Sequence, residues 1–249
     1  MQDWPEGVGR RVLQTVDSTM AEGARIAPSL AGPEWVLAQE QTSGHGRRGR
    51  AWASPQGNFF ASLVMRPDGP SATAALRSFV AALALREAFI AATGRAEALS
   101  LKWPNDVLLN GGKVAGILLE SVGAGQAVSH LIIGIGVNLV TAPGADQVEP
   151  GAVPPVSLLS ETGIRVSPEA FLDLLAPAFA RHEAQFSTYG FAPIRSAWLQ
   201  GAARLGETIT ARTTSESLTG RFETIDETGN LILQTAKGRQ AIPAADIFF

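Results

Sequence analysis

The hydrophobic period of this chain changes at Gly201. Upstream, strand-like apolar runs alternate with stretches at helical spacing. Downstream, "ETITART", "SLTGRFETID", "NLILQTA" and "RQAIPAADIFF" are short, alternating and separated by turns, one of them Asp226 to Asn230. A chain so patterned is expected to fold as a mixed α/β body over residues 1–200 and a small β-barrel over 201–249. With 249 residues, 45% of them hydrophobic, there is enough apolar material for both.

Local chemistry places the upstream elements. "RRVLQTV" reads as a strand ending at Asp17, and Thr19 with Glu22 three residues on has the capping-box pattern that opens a helix to about Ile26. "EWVLAQEQ" and "NFFASLVM" are further strands. Ser71 to about Thr93 carries Leu76, Phe79, Val80, Leu83, Leu85 and Phe89 at helical spacing. "LSLKW" and "DVLLN" flank Pro104, which imposes an extended break, and "NGGK" is a hairpin turn into "VAGILLESV". "SHLIIGIGVNL" is the next strand. Thr141 to Pro155, rich in Pro, Gly and Ala without period, is expected to be a surface loop. Ser167 caps a helix to Phe186 that Pro168 starts and Pro177 is expected to kink, and Ala192 to Leu199 adds a short one.

The bulk composition excludes several classes. A net charge of −3 argues against a surface built as a whole for nucleic acid or anionic lipid, so any positive site is local. The absence of cysteine removes disulfides, thiolate zinc sites and thiol nucleophiles. The N-terminal segment lacks a basic stretch followed by an apolar run, and "FVAALAL" is cut by Arg86 and Glu87 far short of the ~20 residues a membrane span needs. A cytoplasmic location is the expectation.

Between the second and third strands lies "TSGHGRRGR", Thr42 to Arg50, with glycines at 44, 46 and 49 and arginines at 47, 48 and 50. A solvated basic loop is one reading. A nucleotide phosphate loop is another, since Gly44 and Gly49 have the G-x-x-x-x-G spacing. However, Arg50 and Ala51 follow instead of Lys and Ser/Thr, and Pro55 stands where a helix should open. With Trp52 as a stacking platform the loop also suits single-stranded nucleic acid, although no further basic–aromatic interleaving supports that. The binding readings share an anion site: glycines that adopt φ > 0 and present backbone N–H groups, guanidiniums that pair with phosphate oxygens, and an indole face for a purine.

Only three of the 20 basic residues are lysines, and two of them, Lys102 and Lys113, fall inside "LKWPNDVLLNGGKVAG". That is the pattern expected where a compact ammonium is required in place of a planar guanidinium.

"DSTM" (Asp17 to Met20), "EQTSGHGRRGRAW" (Glu40 to Trp52), "KWPNDVLLNGGKVAGILLE" (Lys102 to Glu120) and "IIGIGVNL" (Ile132 to Leu139) occur in the order and spacing of the biotin protein ligases. The chain resembles that family from about Arg11 to Phe249. The resemblance implies an α/β (α+β) catalytic part with the fold shared by class II aminoacyl-tRNA synthetases and lipoate ligases, followed by an SH3-like barrel. It implies ATP with Mg2+, biotin as substrate, and the biotin carboxyl carrier domain of a carboxylase as partner. No N-terminal helix-turn-helix is seen, so DNA is not expected as a partner. Oligomeric state is open, since relatives include monomers and dimers. Two rival readings stand beside it: a lipoate-type ligase on the same scaffold, and a non-catalytic nucleic-acid or anion-binding module using the Arg/Gly loop.

What the resemblance implies residue by residue is as follows. Arg47 and Lys113 form the catalytic pair, Lys113 bridging the biotin carboxylate and the α-phosphate. Arg47 and Arg50 clamp adenylate and phosphates, with Trp52 beside the adenine in a loop that closes as it orders. Preorganised cations in such a place contribute ~3 kcal/mol or more apiece. Asn105 and Asp106 match the nucleotide and magnesium neighbourhood, Asn138 an adenylate contact, and no direct metal ligand is assigned. Ser18, Thr19 and Gln41 match ureido-recognition positions. Gly44 and Gly46 belong to the same pocket, as do Gly116, Gly134 and Gly136, where a side chain would collide with ligand. Met20 stands where the family often has asparagine, which makes the pocket entrance more apolar, and His45 stands where many members carry arginine. Lys102 is left outside the catalytic set as a turn-positioning residue.

Overall fold

The computed structural model describes residues 3–67, 69–124, 127–144 and 147–249. Seven strands form one sheet in the order β1 (Gly9–Val16), β2 (Glu34–Gln41), β3 (Phe59–Met65), β7 (Ala127–Val137), β6 (Gly112–Ala124), β5 (Asp106–Leu109) and β4 (Leu99–Lys102). Only β1 and β2 pair in parallel; every other ladder is antiparallel.

Strand alternation gives this sheet two chemically different faces. Phe59, Ala61, Leu63 and Met65 of β3 and Leu131, Ile133, Ile135 and Val137 of β7 belong to the main core. Over them pack α3 (Arg77–Thr93), α5 (Pro168–Tyr189) and α6 (Phe191–Gln200). The layer is locked by edge-on aromatic pairs, Trp35 with Phe179 at 5.9 Å and Phe59 with Phe171 at 5.2 Å between ring centroids. The opposite face carries Phe60, Ser62 and Val64 of β3 and Ile132, Gly134 and Gly136 of β7. A single short helix, α1 (Thr19–Ile26), covers part of it through Met20, Val64 and Ile132. The rest of that face is left to loops, and there the candidate site lies.

Several elements differ from the sequence reading. The cap of α1 is Ser18, in extended conformation, whose hydroxyl accepts from Met20 N at 3.2 Å; Thr19 is already helical. The expected helix from Ser71 is divided at Leu76 into α2 (Ser71–Ala75) and α3, because i→i+3 bonds from Leu76 N to Thr73 O and from Phe79 N to Leu76 O tighten the chain there. The helix α5 runs on through Pro177, and a short α4 (Leu158–Thr162), unforeseen from sequence, follows Ser157.

The last strands, β8 (Thr208–Arg212), β9 (Ser217–Ile225), β10 (Leu231–Thr235), β11 (Gly238–Ile242) and β12 (Asp246–Phe248), form a second antiparallel sheet in the order β11-β10-β9-β8-β12. "RQAIPAADIFF" thus splits at Pro243 into two strands on opposite edges. The sheet is consistent with an SH3-like barrel but is not closed by a ladder between β11 and β12. No helix among the described residues is long and apolar enough to cross a membrane.

Candidate functional site

The break at Pro104 puts Asn105 and Asp106 at the head of β5, beside β6. Asn105 is tied to β6 twice: its carbonyl accepts from Ile117 N at 2.9 Å and its amide Nδ2 donates to Ile117 O at 2.6 Å. Asp106 is buried, with Lys113 Nζ 2.7 Å from Oδ1, a close ion pair outside hydrogen-bonding angles, and Lys102 Nζ 3.5 Å from Oδ2. Burial pushes the Asp106 carboxyl up, but the two ammonium groups outweigh it and hold the group below the ordinary carboxylate range. Burial pushes Lys102 down, against the pull of Asp106. Lys113 itself sits in a fixed frame, because its N–H donates to Pro154 O at 2.8 Å and its carbonyl accepts from Val156 N at 3.0 Å. The segment expected to be a surface loop therefore ends as a strap along β6.

The basic loop is a closed structure. Thr42 N and Ser43 N donate to Val16 O and Asp17 O at its root, Gly46 N donates to Arg50 O, and Trp52 N to Gly44 O. At the tip, Arg47–Gly49 makes a 3-10 turn with Arg48 at φ +57° and Gly49 at φ +70°. Of the three glycines expected at positive φ, only Gly49 is. Gly46 is extended at φ −113°, and Gly44 is needed for space, since a Cβ there would stand 2.6 Å from Ser54 Oγ and 2.7 Å from Gln41 Nε2.

The turn sorts the arginines. Arg47 points inward, its Nη1 donating over 3.4 Å to both Asn105 Oδ1 and Ala245 O, and burial pushes its guanidinium below its ordinary range. Arg48 and Arg50 point to Asp246 of β12, with Nη to Oδ2 distances of 2.6 and 3.0 Å, and Arg50 also meets Glu149 at 3.0 Å. Arg47 and Lys113 thus end on consecutive residues, Asn105 and Asp106.

Beside this cluster lies a floor of glycines. Gly116 of β6 and Gly136 of β7 are directly paired, as are Leu118 with Gly134, and all face the α1 side. The indole of Trp52 covers the floor: a Cβ on Gly136 would lie 2.5 Å from Trp52 Cε2 and one on Gly116 3.2 Å from Cζ3. Lys113 Nζ stands 5.6 Å from the Trp52 ring centroid. Trp52 Nε1 is buried without a hydrogen-bond partner, a donor available to a ligand, as is the acceptor Asp106 Oδ1 beside Lys113. Met20 fills the space over Gly134, where a Cβ would meet its Sδ at 2.4 Å.

A polar row closes the far end. Gln41 Oε1 accepts from Thr19 N at 2.8 Å and from Thr19 Oγ1 at 3.2 Å, Gln41 Nε2 donates to Ser54 Oγ, and Ser62 Oγ donates to Thr19 Oγ1 at 2.8 Å. The site is a glycine-floored trough that the Trp52 and Met20 side chains occupy, flanked by the amide and hydroxyl groups of Gln41 and Thr19 and by the cations Arg47 and Lys113, a set of groups that suits a ligand with a neutral polar head, an apolar chain and an anionic tail.

Comparison with known proteins gives the family and the fold. Residues 9–138 match the Biotin/lipoate A/B protein ligase family, and residues 205–249 match the Biotin protein ligase C terminal domain. A biotin–[acetyl-CoA-carboxylase] ligase of Paracoccus denitrificans is 61% identical over 96% of this chain and 99% of its own length. The chain belongs to the biotin/lipoate protein ligase family. The fold is also that of the biotin protein ligase of Aquifex aeolicus in complex with biotin and ATP, with a TM-score of 0.80 at 24% identity over 96% of this chain and 97% of that one. The Leishmania major biotin protein ligase in complex with biotinyl-5-AMP has a TM-score of 0.63 at 25% identity, covering 96% of this chain and all of that one.

In this member of the family the structure brings Ser18, Thr19, Met20, Gln41, Gly44, Trp52, Gly116, Gly134 and Gly136 to one face, with Arg47, Asn105, Asp106 and Lys113 at its end. Asn138 is buried just behind, donating from Nδ2 to Val156 O at 3.2 Å. His45 turns instead to Glu120 Oε1 at 3.2 Å, and Arg50 to the two carboxylates. The sequence reading missed Ser54, Ser62, Glu120, Glu149 and Asp246. Glu120 closes the third motif without a role read from it, the other four stand outside the motifs, and each meets its partner from another segment of the chain.

Proposed function

We propose that this chain is an ATP-dependent biotin protein ligase acting in two steps. The biotin carboxylate attacks the α-phosphorus of ATP, forming biotinyl-5′-adenylate and releasing pyrophosphate. The amine of one lysine on a biotin carboxyl carrier domain then attacks the acyl carbon and AMP leaves. The observation that carries the reading is the convergence of Arg47 and Lys113 at Asn105–Asp106, beside a glycine-floored trough whose other end is lined by Thr19 and Gln41.

In this proposal Thr19, Gln41 and the cap at Ser18 recognise the ureido head, Met20 and the strand glycines shape its seat, and Lys113 leaves Asp106 to grip the carboxylate and α-phosphate. Arg47 neutralises the charge that develops on the phosphoryl oxygens. Trp52 covers the adenylate and keeps water from the mixed anhydride. Magnesium fits this site poorly as a directly caged ion, because both oxygens of Asp106 face ammonium groups. It enters the proposal as the counter-ion that the triphosphate brings, held by phosphate oxygens and water. Residues 1–200 are assigned the chemistry and residues 201–249 a supporting, SH3-like role, in a cytoplasmic setting. The nucleic-acid alternative loses force because Arg48 and Arg50 are already engaged by carboxylates.

The test is transfer of labelled biotin to a carrier domain with ATP and magnesium, with lipoate as competitor. Folded protein that labels nothing, or that prefers lipoate, sinks the reading. Lys113→Ala is expected to keep its fold and lose adenylation by about a hundredfold or more, the usual cost of one transition-state donor.

A further inference from the structure

Two carboxylates outside every motif gather the basic loop from its solvent side. Asp246, on the edge strand β12, takes Arg48 Nη1 at 2.6 Å and Arg50 Nη2 at 3.0 Å, with Arg47 Nη1 at 3.8 Å. Glu149 takes Arg50 Nη2 at 3.0 Å and Arg212 of β8 at 2.9 Å. The same chain segment continues from Glu149 into the strap whose Pro154 and Val156 hold the backbone of Lys113. Four parts of the molecule, the loop, the strap, β8 and β12, are therefore joined through two acidic side chains.

Isolated exposed ion pairs contribute little. Here, however, Asp246 is only 16% exposed and serves two guanidiniums at once, and Glu149 is the other carboxylate that meets an arginine of the loop at 3.0 Å among the described residues. The pairing also has a direction. With Arg48 and Arg50 turned to the carboxylates, Arg47 is the guanidinium that faces Asn105, and Trp52, two residues beyond Arg50, lies on Gly116 and Gly136.

We infer that Asp246 and Glu149 are positioning residues which clasp the basic loop over the trough and so retain the acyl-adenylate until the acceptor lysine arrives. The inference rests on the ligase reading above. It makes the C-terminal sheet and the 149–157 strap parts of the retention device. They touch no reacting atom, so their loss is expected to leave adenylation possible and to let its product escape. A closed loop favoured over an open one by a factor of about ten corresponds to ~1.4 kcal/mol.

The experiment follows pyrophosphate release by the full chain with biotin and MgATP in the absence of any acceptor domain. The parent is expected to release a burst of about one equivalent per enzyme and then to slow, because the retained adenylate blocks further turnover. The Glu149→Gln/Asp246→Asn double variant is expected to keep the burst but to run about tenfold faster after it, as adenylate leaks into solvent and is hydrolysed. Its loop is also expected to be cut faster by trypsin at Arg47, Arg48 and Arg50. The single variants, each keeping one carboxylate, are expected to fall between and serve if the double variant does not fold. A folded double or single variant with the parent's rate after the burst overturns the inference, even if trypsin cuts it faster. A parent that releases no biotin-dependent pyrophosphate overturns the ligase reading itself, so the two failures are distinct.

Discussion

Replacing Gly136 by alanine probes the site where a rigid ring lies against its floor. Gly136 lies in the body of β7, where an alanine backbone is unstrained, so the cost is steric. Its Cβ would stand 2.5 Å from Trp52 Cε2, 2.6 Å from Nε1 and 2.7 Å from Cζ2. Unstrained carbon contacts lie at about 3.5–4.0 Å, so the whole edge of the indole must retreat by roughly 1 Å, and a rigid ring has no terminal bond to rotate out of the way. If the ring stays, overpacking costs about 1–3 kcal/mol. In a chain of this length each kcal/mol lowers the melting temperature by about 2–4 °C, so the expected fall is roughly 2–12 °C. If instead the ring lifts with the loop, the fall is at the low end and biotin-dependent pyrophosphate release suffers more. Both outcomes share one signature, read by differential scanning calorimetry on a double-mutant cycle. In a Trp52→Ala background the same glycine substitution is expected to cost nearly nothing. An equal cost in both backgrounds refutes the argument that Trp52 is what occupies the space over Gly136.

Three further outcomes test other parts of the structure. Gln41→Ala removes the acceptor of Thr19 N and is expected to cost about 1–3 kcal/mol while weakening biotin binding, measured by isothermal titration calorimetry; Gln41→Glu, which keeps an acceptor, is expected to recover the stability. Arg77→Met strips Glu183 of a buried guanidinium at 2.7 Å and is expected to cost about 3–5 kcal/mol in urea unfolding, with the KM for ATP unchanged because the pair lies under the far helical layer. The Asp17 carboxyl is held well below its ordinary range by Arg25, at 2.7 Å, and by Ser18 N. Because its folded pKa is depressed, the stabilisation is present above the ordinary carboxylate pKa of about 4 and is lost as pH falls toward the folded value. Asp17→Asn is therefore expected to flatten the melting temperature against pH below about 4, and a variant that keeps the parent's acid slope refutes the assignment.

Much of this protein was legible as a string of residues because the rules involved act over a few positions. Strand period, the turn chemistry of "NGGK" and the cap at Ser167 produced β1 to β7 and the start of α5 in nearly their observed places. The rarity of lysine singled out Lys102 and Lys113, which meet at Asp106, and the Arg/Gly loop stood out as a local cluster of cations. Where local rules compete they were less decisive: Ser18 and Thr19 are both good caps, and only the bond to Met20 N chooses between them.

Tertiary structure alone decided what those residues face. That Gly116 and Gly136 form one floor depends on the β6–β7 register, and that Trp52 lies on it depends on the path of a loop from another strand. Asp106 matches a nucleotide-site position by sequence, and packing makes it a buried carboxylate between two ammonium groups. The partners of Arg48 and Arg50 come from Asp246 and Glu149, one in a strand of a different sheet and one in a Pro/Gly-rich segment without period. An arginine carries no local signal for the carboxylate it will meet, since Coulomb attraction acts through space and only the folded packing brings together residues nearly two hundred positions apart.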